Sequence, residues 1–219
     1  MSIRNDGSRD LTATNDGRVA AAAQESGLPT SATDQAILGA ARACVIEFGL
    51  RRTTLSEVAR RAGVSRPTVY RRWPDTRTLI AELLTREMRA AVRSAAGTGP
   101  TARTQLVSAI TSGAAVIGAN PMFAKIFRTD ADMIVVYIVT RLGRSQRELI
   151  AHFANQISAG QADGSIRPGN PVELAAMLLL IGQSAVQSAR MVAPVLDGVR
   201  LSAELGYAVE AYLRPGSLP

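Results

Sequence analysis

Hydrophobic residues recur at helical spacing along most of the chain, and no stretch alternates convincingly as a β-strand would. Within residues 53–80 this spacing predicts two short helices joined by a tight turn. Thr54 and Glu57 predict a capping box at the start of the first helix, and Gly63 predicts its left-handed end. The apolar face of that helix follows the i, i+3, i+4, i+7 rule: Leu55, Val58, Ala59 and Ala62.

The second helix of this pair is short and basic, with an N-cap predicted at Ser65. Pro67 suits its first turn, and Pro74 ends it. Val69 and Trp73 are predicted to point inward, which leaves a polar and basic face of Arg66, Thr68, Tyr70, Arg71 and Arg72. This pattern is typical of a helix-turn-helix, in which the second helix lies in the major groove of DNA.

The residue types on this face suit contacts with DNA. Arginine can form a bidentate pair with guanine, threonine can meet a base edge, and hydroxyl groups suit phosphate oxygens. We expect base contacts from Arg66, Pro67, Thr68 and Arg71. The full predicted DNA-binding set is Thr53, Thr54, Ser65, Arg66, Pro67, Thr68, Tyr70, Arg71, Trp73 and Arg77.

Positive charge is concentrated in the segment that carries this pattern. Residues 34–93 contain twelve arginines and six acidic residues, so this segment holds +6 of the total net charge of +7. A surface that neutralises phosphates needs such a local excess. The charge distribution therefore favours DNA binding over the alternative, an ordinary helical hairpin whose basic face is only solvated.

Residues 34–90 resemble the N-terminal domain of TetR/AcrR-type bacterial transcriptional regulators. The matching pieces are Phe48-Gly49, Thr53-Thr54, Val58-Ala59, Ala62-Gly63-Val64-Ser65, Thr68-Val69-Tyr70 and Trp73-Pro74. Where the family commonly has a lysine just after the cap of the fourth helix, this chain has Thr76, so a phosphate contact there depends on Arg77. The resemblance implies a ligand-responsive regulator, and we expect a repressor that binds a palindromic operator in double-stranded DNA.

The chain divides by pattern into three parts. Residues 1–30 are polar and rich in Gly, Asp, Asn and Ser, which predicts a flexible tail. Residues 31–80 form the predicted DNA-binding domain, and residues 81–219 the predicted regulatory and dimerisation domain. Besides the two short helices, helices are expected over about 31–48, 75–95, 101–118, 121–128, 131–160, 171–192 and 196–213. The result is an all-α fold of about nine helices, the layout of the family.

The segment Leu174–Ile181 is apolar around almost the whole circumference of a helix, so the helix over 171–192 has to be buried on every side. With the helix over 196–213 it resembles the dimerising pair of the family. A helix-turn-helix protein that reads two half-sites also needs two copies. We expect a homodimer through these two helices, with a central helix in a monomer as the alternative.

Methionine and aromatic side chains cluster on the helices predicted after residue 120. Such side chains can line an adaptable cavity, although plain core packing explains them equally well. The resemblance favours a pocket, and because few charges fall in this set, we expect a small hydrophobic or lipid-like effector. The predicted ligand-binding residues are Met122, Phe123, Ile126, Phe127, Met133, Ile134, Tyr137, Met177 and Ile181.

The sequence lacks the residues that other classes of protein need. Cys44 is the only cysteine, which forbids an intrachain disulfide and is consistent with the bacterial cytoplasm. His152 is the only histidine, and there is no Gly-Lys phosphate loop, so we predict no enzyme, metal or cofactor. No apolar run reaches about 18 residues, so no membrane partner is expected. A constitutive DNA-binding or architectural protein stays open, and a filled core would favour it.

Overall fold

Helices are the only regular secondary structure in the described residues, which are 31–130, 132–133 and 142–216 of a computed structural model. They are α1 (Ala32–Phe48), α2 (Leu55–Ala62), α3 (Arg66–Arg72), α4 (Thr76–Ser94), α5 (Ala102–Ala119), α6 (Pro121–Thr129), α7 (Arg144–Ala162), α8 (Pro171–Val192) and α9 (Gly198–Leu213). The predicted all-α fold is confirmed. The tail predicted over residues 1–30 lies outside the described residues.

Most of these helices begin at a residue whose side chain accepts a hydrogen bond from the first turn, as helix N-caps do. The capping residues are Thr54, Ser65, Asp75, Thr101, Asn120, Asn170 and Asp197. Because such caps are readable in a sequence, the predicted and observed helix bounds agree closely at most positions.

The single helix predicted over residues 131–160 is wrong at Leu142 and Gly143, which are not helical. The backbone N–H of Gly143 donates to the side-chain oxygen of Gln146 (2.8 Å), and α7 begins immediately after Gly143. Glycine destabilises the interior of a helix, so a new helix starts here. Residues 134–141 lie outside the described residues.

One hydrophobic core, here called the N-terminal core, joins α1–α4 to one face of α6. Its buried residues are Ile37, Leu38, Ala40, Ala41, Cys44, Val45, Leu50, Leu55, Val58, Ala59, Val69, Trp73, Leu79, Ile80, Leu83, Met122, Phe123 and Ile126. Cys44 is completely buried in this core. The contribution of α6 fixes this helix to the helices that carry the DNA-binding pattern.

A second hydrophobic core, the C-terminal core, is built from α5, α7, α8 and α9. Its buried residues are Leu106, Ile110, Ile150, Phe153, Ala154, Ile157, Ile166, Leu174, Ala175, Leu178, Leu179, Leu205, Val209 and Leu213. α8 is its central element, since it packs against α5, α7 and α9.

In the described part of the chain, α8 is the single helix long and apolar enough by itself to cross a membrane. The consecutive helices α5 and α6 pass the same test only as a pair, and they are bent by 68° at their junction. Length and composition also fit the central helix of a helical core, and Leu174, Ala175, Leu178 and Leu179 of α8 are buried in the C-terminal core.

Candidate DNA-binding surface and interior cavity

A short turn sets α3 against α2. The hydroxyl of Thr54 accepts a hydrogen bond from the backbone N–H of Glu57 (3.2 Å). The predicted capping box also requires the carboxylate of Glu57 to accept from the backbone N–H of Thr54. Instead, this carboxylate accepts from the side chain of Arg60 (2.6 and 2.9 Å). Gly63 ends α2 in the left-handed conformation (φ 67°), as predicted. The hydroxyl of Ser65 then caps α3 by accepting from the backbone N–H of Thr68 (3.3 Å).

The inner face of α3 is fixed to the N-terminal core by Val69 and Trp73, both with no exposed surface. The indole N–H of Trp73 donates to the carboxylate of Glu82 on α4 (2.9 Å). Trp73 was predicted to contact DNA, and its burial corrects that assignment. Its side chain holds α3 in place.

Thr53 also differs from its predicted role as a phosphate contact. Its side chain is buried, with 3% of its surface exposed, and its hydroxyl donates to the backbone carbonyl of Gly49 (2.7 Å). The hydroxyl is therefore committed to the loop between α1 and α2. Thr54, the next residue, is exposed at the start of α2.

The outer face of α3 is polar and accessible. Ser65, Arg66, Pro67, Tyr70 and Arg71 are exposed, and Thr68 is half-buried. Tyr70 keeps 49% of its surface exposed although an aromatic ring gains from burial. The structure thus brings six of the predicted residues onto one short face, held by a rigid base.

The arginines of α2 and α3 differ in their partners. On α2, Arg60 pairs with Glu57 (2.6 Å) and Arg61 pairs with Glu47 (2.5 Å). The hydrogen bond from Arg60 holds the pKa of Glu57 below its ordinary value. Within the described part of the chain, neither Arg66 nor Arg71 on α3 forms an ion pair. The guanidinium groups of Arg66 and Arg71 therefore stay available for an external anion.

The start of α4 lies next to α3 in the chain and carries the remaining predicted contact. The carboxylate of Asp75 caps α4 by accepting from the backbone N–H of Thr78 (2.6 Å), which lowers the pKa of Asp75. Arg77 is exposed in the first turn of α4. It is the basic residue next to Thr76, which stands where the family commonly has a lysine.

The other candidate site is a cavity of about 340 Å³ enclosed by α4, α5, α6, α7 and α8. Its volume falls at the small end of the range for pockets that bind drug-sized ligands. Small side chains create much of the space: Ala81, Ala91, Ala95, Ala96, Ala109, Gly113, Ala114 and Gly182. Larger apolar residues that line it include Leu84, Met88, Phe123, Phe127, Leu149 and Phe153.

The predicted ligand-binding residues are dispersed by the fold. Phe123 and Phe127 line the cavity, with their rings stacked at 6.3 Å between centroids. Met122 and Ile126 are completely buried in the N-terminal core, and Met133 packs against that core. Met177 and Ile181 line a shallow surface groove between α8 and α9. Ile134 and Tyr137 lie outside the described residues.

The comparison with known proteins agrees with this geometry. The family profile described as "Bacterial regulatory proteins, tetR family" matches residues 37–83, which contain α2 and α3. An uncharacterized HTH-type transcriptional regulator of Mycobacterium bovis is 44% identical over 177 residues, which cover 81% of this chain and 92% of that protein. The chain belongs to the TetR family.

Solved TetR-family structures share its fold. A TetR-family transcriptional regulator from Rhodococcus sp. superposes with a TM-score of 0.64 at 22% identity, covering 81% of this chain and 96% of that one. The transcriptional regulator FadR from Bacillus subtilis, solved in complex with stearoyl-CoA, gives 0.62 at 17% identity, covering 84% and 99%. The chain is thus a DNA-binding transcriptional regulator and not an enzyme, as the sequence predicted.

In this TetR-family protein, Asp130 joins the end of α6 to the loop between α1 and α2. Its carboxylate is buried and accepts from the backbone N–H groups of Leu50 (3.0 Å) and Arg51 (3.3 Å) and from the hydroxyl of Thr129 (2.6 Å). Burial by itself would raise the pKa of Asp130, but these hydrogen bonds and the nearby charge of Arg51 lower it overall. A cavity-lining helix is thereby hydrogen-bonded to the DNA-binding region.

Gly49 makes this approach possible. Its φ of 86° is left-handed, and a Cβ atom built on it would lie 2.6 Å from a carboxylate oxygen of Asp130. Asp130 was not predicted as a functional residue, because a lone aspartate at the end of a helix is a common sequence feature. Nor does a sequence show that residues 80 positions apart meet, as Leu50 and Asp130 do.

Proposed function

We propose that the protein is a homodimeric repressor that binds a palindromic operator and is released by a small, mainly apolar effector. The observation that carries the proposal is the outer face of α3. This face presents Arg66 and Arg71, which form no ion pair within the described residues, together with a threonine and an exposed tyrosine, on a helix whose inner face is completely buried. Such a helix keeps its shape when it enters the major groove.

Each exposed residue has a separate role in this proposal. Arg66 and Arg71 read base edges, since their guanidinium groups can form bidentate pairs with guanine. Thr54 and Tyr70 place hydroxyl groups against phosphates, and Arg77 supplies the charge at the start of α4. Trp73 and Thr53 support this surface from within.

Dimerisation is supported by apolar residues left exposed on α8 and α9. Leu180 is 57% exposed and Tyr207 70% exposed, on the two helices predicted to pair with a second copy. A groove between these helices runs past Met177 and Ile181 and can receive side chains of a partner. Burying this face in a homodimer would supply the covering that the apolar sequence of α8 requires.

An effector is supported by the cavity and by the contacts of α6. Phe123 and Phe127 of this helix line the cavity, and Met122, Phe123 and Ile126 pack into the N-terminal core. A ligand that favours one position of α6 therefore also favours one position of the DNA-binding region. That is coupling by differential affinity, typically about 1–3 kcal/mol. The FadR structure solved with stearoyl-CoA has the same fold.

DNA binding tests the proposal most directly. A palindrome selected from the DNA that flanks the gene is titrated with the wild-type protein, Arg66→Ala and Tyr70→Ala. Arg66→Ala should lose specific affinity by about ten- to a hundredfold, because a bidentate arginine contact contributes roughly 1–3 kcal/mol of discrimination. Tyr70→Ala should weaken binding to the operator and to other DNA alike, because it removes a phosphate contact. Circular dichroism should stay unchanged, since both side chains are exposed.

Arg93→Ala is the matched control, because it removes the same charge from an exposed site at the end of α4. It should weaken binding far less than Arg66→Ala. Scrambling one half of the palindrome should also weaken binding if two copies read the two half-sites. Full operator affinity in both α3 variants would refute the assignment.

A further inference from the structure

Two glutamines in the wall of the cavity carry buried polar atoms without a partner. The side-chain oxygen of Gln156 on α7 and the side-chain nitrogen of Gln187 on α8 have almost no exposed surface. Neither forms a hydrogen bond within the described residues. Buried polar atoms are normally paired, and an unpaired one costs about 1–3 kcal/mol.

The Gln156 amide is bonded at one end only. The nitrogen of Gln156 lies 3.0 Å from Nε2 of His152, so one end of this amide already has a partner. Oxygen and nitrogen of an amide are assigned from their surroundings. In the orientation that places the nitrogen at His152, the oxygen of Gln156 is the atom without a partner.

Other glutamines of the same wall show the contrast. Gln146 donates to the side-chain oxygen of Gln183 (2.9 Å) and accepts from the backbone N–H of Gly143 (2.8 Å). These amides are engaged by the protein itself. Gln156 and Gln187 therefore stand out as the amides with capacity left for something inside the cavity.

Formal charge is sparse in the part of the cavity wall that the structure describes. Arg144 is the one charged residue in the described lining, and it is exposed on the first turn of α7. Gln156 lies three turns further along α7. A carboxylate or phosphate placed among the apolar side chains near Gln156 would lose its hydration. The described lining offers it no lysine or arginine there, only the imidazole of His152, which already contacts the Gln156 amide, so its burial is costly.

We propose that the cavity selects an elongated apolar ligand that carries an uncharged hydrogen-bonding group, such as a hydroxyl or a primary amide. That group would pair with the free amide atoms of Gln156 or Gln187 while the chain lies against Phe123, Phe127 and the alanines. This inference deepens the proposed function and rests on it, because it names the class of effector. It also predicts that an acyl-coenzyme A is not the preferred ligand of this chain.

A chain-matched series tests the proposal by calorimetry on the full-length protein. The probes are decanol, decanamide, decanoate and decanoyl-coenzyme A at pH 8, where the acid is ionised, together with their octyl counterparts. The alcohol and the amide should bind at least tenfold more tightly than the acid and the thioester. Decanoate binding as tightly as decanol would overturn the proposal, and so would the absence of binding by every neutral probe.

Substitutions test whether Gln156 and Gln187 bind the polar group of the ligand. Gln187→Leu and Gln156→Leu should each weaken decanamide about tenfold and leave apolar contacts in place, since a leucine fills similar space. Gln105→Leu is the control, because its amide is exposed outside the cavity and donates to the carbonyl of Gly99. Unchanged affinity in both cavity variants would overturn the assignment, and the wild-type series decides the matter if a variant does not fold.

Operator release, measured with the same probes, separates this inference from the proposed function. If decanoate binds and releases the operator while decanol does not, the ligand class is wrong and the effector-responsive repressor stands. If decanamide binds through the glutamines without changing operator affinity, the ligand class stands and the release mechanism fails.

Discussion

The two hydrophobic cores of this protein are packed in opposite ways. The N-terminal core is filled by large side chains with no exposed surface, among them Trp73, Leu79 and Met122. The region between α4 and the C-terminal core is lined by several alanines and glycines besides larger apolar side chains, and about 340 Å³ of it is unfilled. A filled core holds one geometry, whereas a core with free space can change its packing when a ligand enters. The division suits a fixed DNA-binding head and an adjustable interior.

The largest expected effect comes from removing a large side chain from the N-terminal core. Trp73→Ala removes a completely buried indole and leaves the carboxylate of Glu82 without its N–H donor. The free energy of unfolding should fall by about 3–5 kcal/mol, as for other buried aromatic truncations. Urea denaturation followed by circular dichroism at 222 nm measures this loss.

Trp73→Phe is the control for this prediction, since it keeps an aromatic ring in the core and removes only the N–H group and part of the volume. Its loss should be clearly smaller. If Trp73→Ala kept wild-type stability and lost only operator affinity, Trp73 would act at the DNA surface after all, and the contrast between the two cores would be wrong.

An intermediate effect is expected at the hydrogen-bonded joint between the two regions. Asp130→Ala leaves the buried N–H groups of Leu50 and Arg51 without their acceptor. We expect a loss of about 1–3 kcal/mol in unfolding free energy and a weaker effect of any effector on operator affinity. Asp132→Ala is the control, because the exposed carboxylate of Asp132 pairs with the guanidinium group of Arg51. Surface ion pairs of this kind contribute about 0–1 kcal/mol.

The pH dependence of stability tests the same joint. Because the pKa of Asp130 is lowered in the folded protein, its stabilising contribution is complete above its ordinary value of 3.8. The contribution is lost as the pH falls through the lower, folded value. The stability difference between wild type and Asp130→Asn should therefore shrink below about pH 3.8. A difference that grows on acidification would show that the neutral form is the one stabilised.

The two regions also differ in how far they can be predicted from the sequence. The bounds of α2 and α3 follow from Thr54, Gly63 and Ser65, because caps and turns act over three or four residues. Burial of Trp73 could be inferred from its spacing to Val69, although its indole type also suited a DNA contact. Local pattern was therefore enough for the fold of the DNA-binding head.

The cavity could not be read in this way. Whether Met122 lines a cavity or fills a core depends on the face that α6 turns to α4 and α5, which is set by tertiary packing. A weaker signal was present, since α5 carries Gly113 and Ala114 where a filled core would need larger side chains. The polar wall of Gln156 and Gln187 looks in sequence like the solvent side of an amphipathic helix.

The smallest expected effect comes from filling the cavity with a larger side chain. Ala114→Leu adds three carbon atoms at a half-buried position in the cavity wall. Cavity filling typically adds about 0.5–2 kcal/mol to the unfolding free energy, and the same side chain should exclude the ligand. Thermal unfolding with and without decanamide measures both effects, and the ligand-induced shift should disappear. Ala115→Leu, at the next and exposed position of α5, controls for helix propensity and should change neither quantity. If Ala114→Leu instead lowered the unfolding free energy by about 1–3 kcal/mol, the site would be overpacked. This wall would then be as closely packed as the N-terminal core, and the contrast between the two cores would be overstated.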